Sequence, residues 1–209
     1  MRRLCAFLLL ALVATASVPA QAQDAASAEA ERRAARLEAH KGDFDYLLGS
    51  WRFTASSKDY GEFGGYWTAV RLATGGGSHV LDEYRVVGDD GETYFASTTL
   101  RAYNAVRDVW ELVSTDRGTG LQDFGTGHKV GDEMHIEQRF GVAAGKPELW
   151  RIRYYDIRPD GFSWAADRSL DNGATWERGH MTLRATRIGP ARSLEPFAAP
   201  RAAARDPQR

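Results

Sequence analysis

Between Trp51 and Arg187 the chain runs as short stretches of alternating polar and apolar residues, punctuated by turn residues. Gly88-Asp89-Asp90-Gly91, Asp116-Arg117-Gly118, Gly131-Asp132, Pro159-Asp160-Gly161 and Asp171-Asn172-Gly173 each close one stretch and open the next. A period of two sends successive side chains to opposite faces of a strand, and Gly, Asn and Asp supply the turns that hairpins need. The pattern predicts strands over residues 51–57, 66–74, 79–87, 93–103, 109–115, 121–130, 133–140, 149–157, 161–168 and 175–187. Helical periodicity is missing from residues 43–188, apart from a short turn over residues 43–48. Hairpin spacing argues against a βαβ fold, and a ladder of this kind loses its exposed edges by closing on itself. The expected fold is all-β: a single antiparallel up-and-down barrel of about ten strands, preceded by a short N-terminal helix.

The barrel is expected to occupy residues 43–189, enough chain for one domain with a full core. Residues 1–22 read as a secretory signal: Arg2 and Arg3, an apolar stretch from Leu4 to Val18, then the small-x-small pattern Ala20-Gln21-Ala22. That stretch is shorter than the roughly 18 apolar residues of a membrane span. Processing after Ala22 predicts a periplasmic or secreted protein with no membrane anchor. It also removes Cys5, the 1 cysteine of the chain, so neither a disulfide nor a thiolate ligand is expected. Loss of Arg2 and Arg3 moves the formal charge from −1 to −3, and a mildly acidic chain has no electrostatic footprint for nucleic acid. Residues 23–42, rich in Ala, Glu and Arg, favour a helix but carry almost no apolar stripe, which predicts an exposed helical lead-in. Residues 190–209 hold Pro190, Pro196, Pro200 and Pro207 among Ala and Arg, and are expected to be a disordered tail.

Several strands mix aromatic and charged residues. In Leu149-Trp150-Arg151-Ile152-Arg153-Tyr154-Tyr155 one face carries Trp150, Ile152 and Tyr154, and the other Arg151, Arg153 and Tyr155. Two readings follow: a partly polar cavity, or a dry aromatic core inside a charged exterior. The cavity reading names Trp67, Glu83, Arg101, Tyr103, Trp110, Arg151 and Trp164 as candidate ligand-binding or closure residues, with Glu83 and an Arg as an internal charged cluster. Such a carboxylate must be paired, or its pKa must rise. The matching function is binding of a small apolar or amphipathic molecule. An acid–base enzyme inside the barrel and a filled structural module are the rivals. His79, His128, His135 and His180 show no metal-ligand spacing, no catalytic motif is present, and no cofactor is implied by the residues. The oligomeric state is left open.

Ser169-Leu170-Asp171-Asn172-Gly173-Ala174-Thr175-Trp176 matches the Asp-box pattern S-x-D-x-G-x-T-W. One copy in a chain too short for the propellers that repeat it predicts a structural hairpin, with Asp171 and Gly173 shaping the turn and Trp176 packed beneath.

Phe44-Asp45-Tyr46-Leu47-Leu48-Gly49-Ser50-Trp51, Gly76-Gly77-Ser78-His79-Val80-Leu81-Asp82-Glu83-Tyr84 and Thr99-Leu100-Arg101-Ala102-Tyr103-Asn104 follow in order, with Trp110, Trp164 and a terminal Arg187. In these the chain resembles the DUF1579-type family of bacterial proteins with a calycin (lipocalin-like) barrel. The resemblance implies the fold and no established activity. It also implies a barrel closure in which the first-strand Trp51 packs against a basic side chain of the last strand, Arg184 or Arg187. Nitrobindins are similar in an early Gly-x-Trp and a late haem-ligating His, here His180, although Arg52-Phe53-Thr54 stand where that family has glycines.

Overall fold

A computed structural model describes residues 20–73 and 76–194. Most of the expected signal segment and residues 195–209 of the expected tail lie outside the described residues. A helix, α1 (Ala20–His40), leads into a single turn of 3-10 helix at Asp45–Leu47. Eleven strands follow: β1 Gly49–Ser57, β2 Gly61–Leu72, β3 His79–Val87, β4 Thr93–Asn104, β5 Val109–Asp116, β6 Gly120–Val130, β7 Glu133–Phe140, β8 Glu148–Arg158, β9 Gly161–Ser169, β10 Glu177–Gly189 and β11 Arg192–Leu194.

Each of the first ten strands pairs antiparallel with its sequence neighbours, and β1 pairs with both β2 and β10. The ladder therefore closes into the expected up-and-down barrel. β2 starts at Gly61, five residues before the expected strand, because Gly64 and Gly65 continue the ladder rather than turn it. A Cβ at Gly65 would collide with the Arg85 carbonyl, so glycine is what lets β2 and β3 approach there. β11 falls within residues expected to be disordered. It pairs parallel with Val70–Leu72 of β2, just beyond Ala69, where the β1 partner Gly49 ends. The chain thus returns to extend the seam that β1 vacates.

The inward faces carry Trp51, Phe53, Trp67, Val80, Trp110, Leu112, Met134, Ile136, Ile152, Tyr154, Phe162, Trp164 and Leu183. Burial of this aromatic set is the main stabilising term for a chain with no disulfide. The two ends of the barrel differ. At one end Phe44, Leu47 and Leu48 from the 3-10 turn insert beneath the wall and are buried. There Phe44 meets Trp110 edge-to-face at 4.8 Å, and Trp51 meets Phe162 at 5.0 Å. The last turn of α1 lies over this plug: Leu37 packs on the core, Arg36 donates to the Ala105 carbonyl, and His40 stacks on Tyr103. The helix is thus anchored at its C-terminal end. Among the described residues no helix is long and apolar enough to cross a membrane.

Candidate functional site

The seam explains the Gly49-Ser50-Trp51 signature. Gly49 has φ 122°, and a Cβ there would run into the Arg187 guanidinium and the Gly189 carbonyl. The space left by the missing side chain admits Arg187, whose guanidinium lies 4.0 Å from the Trp51 ring centre. Arg187 Nη1 donates to the Leu48 carbonyl at 2.7 Å and Nε to the Pro159 carbonyl at 2.5 Å. The Trp51 indole donates to the Leu47 carbonyl at 2.7 Å. Arg187 rather than Arg184 meets Trp51, and together they tie first strand, last strand and plug.

The hairpin reading also has its geometry. Thr175 donates to both Asp171 carboxylate oxygens, from its backbone N–H at 2.8 Å and its hydroxyl at 2.6 Å, and Trp176 Nε1 donates to the Gly173 carbonyl at 3.1 Å. The two Thr175 bonds, with a third from the Ser169 hydroxyl at 2.8 Å, hold the Asp171 carboxyl down at about 2.

Of the seven cavity candidates, Trp67, Arg101 and Trp164 face the barrel interior. Tyr103 and Trp110 face inward but belong to the plugged end: the Tyr103 hydroxyl donates to Asp108 at 2.5 Å and the Trp110 indole to Asp43 at 3.2 Å. Glu83 and Arg151 do not line the interior. Glu83 points outward beside Arg85 at 2.9 Å, and Arg151 lies on the outer wall with its guanidinium 3.9 Å from the Trp176 ring centre. The physical reason is strand parity. Val80, Asp82, Tyr84 and Val86 share the inner face of β3, and Trp150, Ile152 and Tyr154 that of β8, so the intervening charges face water.

The internal charged cluster exists with Asp82 in place of Glu83. Arg101 Nε donates to Asp82 Oδ2 at 2.6 Å, and both side chains are at most 3% exposed. Trp67 Nε1 donates to Asp82 Oδ1 at 2.7 Å, and Arg101 Nη2 reaches the Tyr154 hydroxyl at 3.4 Å. Phe44 of the plug lies 4.9 Å from the guanidinium carbon. Burial alone would pull the Arg101 pKa down; the Asp82 charge and hydrogen bond outweigh it and hold Arg101 protonated. Further along the interior, the Ser114 hydroxyl donates to Asp123. Burial pushes the Asp123 carboxyl up, against hydrogen bonds from Ser114 and Gln138. Among the described residues, four buried side-chain polar atoms have no hydrogen-bond partner: Arg101 Nη1, the Tyr46 and Tyr84 hydroxyls, and Asp123 Oδ1.

The end away from the plug is less sealed. Phe63, Val86, Phe95, Phe140 and Met181 share the inward faces of their strands, yet each is only partly buried. Their rings continue into the core through Phe53–Phe63, Tyr84–Phe95 and Phe140–Trp150 contacts. Two surface concavities lie elsewhere. One of about 600 Å³ runs along the outer wall past His128, Glu137, Arg151, Arg153 and Arg178; the other, about 280 Å³, sits beside Tyr46 and Met134 at the plugged end. The larger groove is not near the orphaned polar atoms. Two of its arginines are met by solvated carboxylates, Arg151 by Glu137 at 3.5 Å and Arg153 by Glu133 at 3.2 Å.

His180 is buried, but both ring nitrogens face carboxylates: Nδ1 is 3.1 Å from Glu177 and Nε2 is 3.8 Å from Asp59. Trp150 closes on its ring at 5.2 Å. These surroundings do not fit axial ligation of a haem iron, which needs a free nitrogen and an open face. Among the described residues no cluster of three or more His, Cys, Asp or Glu could hold a metal ion.

No protein-family model and no curated protein matches this sequence. Among solved structures, the chain is similar to a redesigned beta barrel, b11L5F_LGL, at 12% identity and a TM-score of 0.40, covering 69% of this chain and 93% of that one. The redesigned beta barrel mFAP1, solved bound to DFHBI, gives 13% identity and a TM-score of 0.38 over 68% of this chain and 96% of that one. Likeness at this level says nothing of what this chain binds.

Proposed function

We propose that this protein is an exported carrier that takes a small amphipathic molecule into its barrel through the end opposite the plug. One observation carries the reading: the two ends are asymmetric. Phe44, Leu47 and Leu48 seal one end, while Phe63, Val86, Phe95, Phe140 and Met181 stand inward and partly exposed at the other. A ten-stranded barrel is also wider than the eight-stranded one that side chains alone can fill. Membership of the DUF1579-type calycins is part of the proposal, supported by the Trp51–Arg187 closure, and export is supported by the signal pattern of residues 1–22.

The test is native mass spectrometry of the chain purified from its own host, followed by denaturation and analysis of what is released. A stoichiometric small molecule is expected; an apo mass that also stays unchanged on exposure to a host lipid and metabolite extract contradicts the carrier reading. Asp123 favours a second reading, because a buried carboxyl with a raised pKa is equipment for acid–base chemistry. Incubating the released compound with the protein separates the two: a carrier returns it intact, an enzyme returns a product.

A further inference from the structure

The interior is short of hydrogen-bond acceptors in one place. Arg101 uses Nε on Asp82 and Nη2 on Tyr154, and leaves Nη1, with two N–H groups, buried and unpartnered. The Tyr46 hydroxyl, also unpartnered, belongs to a ring 5.8 Å from that of Tyr154. The second free hydroxyl, on Tyr84, belongs to a ring 5.4 Å from Trp67, which itself donates to Asp82. The ion pair therefore carries one unsatisfied donor of its own, and two unsatisfied tyrosine hydroxyls sit on rings that touch side chains bonded to it. A buried donor on a charged group left unmade is among the costlier defects a core can carry. The fourth orphan, Asp123 Oδ1, belongs to a carboxyl that burial drives toward its neutral form, which adds a donor rather than an acceptor.

We infer that the molecule held in the barrel is an organic acid, with its carboxylate on Arg101 Nη1 and its apolar body along Phe53, Phe63, Trp67 and Phe95. The inference rests on the interior-site reading above and adds the chemistry of the ligand. Two carboxylates can share one guanidinium because its five N–H groups point in fixed, separate directions; Asp82 takes the Nε edge and leaves the Nη1 edge free. The apolar body meets the aromatic wall, where Phe53 and Tyr84 stack at 4.7 Å. Arg101 Nη1 is out of reach of solvent, so the acid enters by parting the side chains above it, a rotamer change of the kind common on binding.

The test compares two probes of the same shape on the full mature chain by isothermal titration: naphthoate, an anion near neutral pH, and its neutral methyl ketone, acetonaphthone. Naphthoate is expected to bind at least about tenfold more tightly, the effect of one charge-assisted hydrogen bond. Equal affinities overturn the organic-acid inference and leave the interior site standing. Binding of neither probe overturns both. The paired variant Asp82→Asn with Arg101→Gln removes both buried charges together, and in it the preference for naphthoate is expected to fall below about threefold. An undiminished preference in that variant, once circular dichroism shows it folded, places the acid elsewhere and overturns the inference; the wild-type comparison decides the matter on its own where the variant does not fold.

Discussion

Asp82 and Arg101 set what single residues do in this barrel. Removing one partner of a buried pair strands the other charge, so Arg101→Met is expected to cost about 3–5 kcal/mol. Replacing both, with Asp82→Leu added, is expected to recover most of that loss; urea denaturation of the two variants reads the difference. Asp123 works with the opposite sign. Its carboxyl is raised by burial, so its ionisation opposes folding: its contribution is fully present below the ordinary carboxylate range and is lost as pH rises through the raised folded value. Asp123→Asn is therefore expected to be more stable than the parent at neutral pH, by on the order of 1 kcal/mol, with the advantage vanishing as pH falls below about 4. Thermal melts across that range check the sign: an advantage that grows on acidification contradicts it.

At the level of elements, the seam between β1, β10 and the plug depends on one glycine. Gly49→Ala forces a Cβ against Arg187 at a φ that L side chains rarely adopt, and is expected to cost about 2–4 kcal/mol. Arg187→Ala in the same background is expected to cost little more, because Gly49→Ala has already displaced the guanidinium; fully additive losses in a denaturant double-mutant cycle would contradict this coupling. Strand order and closure were legible in the sequence because alternation and turn residues report them directly. The interior polar residues were legible only in part. On β3 the signal was present: Glu83 and Arg85, two apart, mark an outer charged stripe and leave Val80, Asp82, Tyr84 and Val86 inside. On β6 the pattern misleads, since the apolar Leu121 and Phe124 are exposed while Asp123 is buried. A bulge between Ser114 and Thr115 shifts the register there, and nothing in the local residue types announces it. β11 was hidden for another reason: three residues pairing across more than a hundred positions leave no periodic signature.

For the whole molecule, closure and plugging divide the labour. α1 touches the barrel through its last turn, so deleting residues 23–35 is expected to move the melting temperature by no more than about 2 °C. Deleting residues 23–48 also removes Phe44, Leu47 and Leu48 and opens the sealed end, and is expected to abolish cooperative unfolding. Calorimetry distinguishes these outcomes. On the proposed reading the barrel is a cup: a sealed aromatic base, a buried charge pair with a free edge, and a partly open rim. That account is tested most directly by methyl NMR of the chain titrated with naphthoate. Shifts are expected at the interior methyls of Val80, Leu112 and Leu183, with Val130 and Ile188 on the outside unmoved. Shifts confined to the outer methyls, with the interior set silent at saturation, would contradict a ligand-holding barrel.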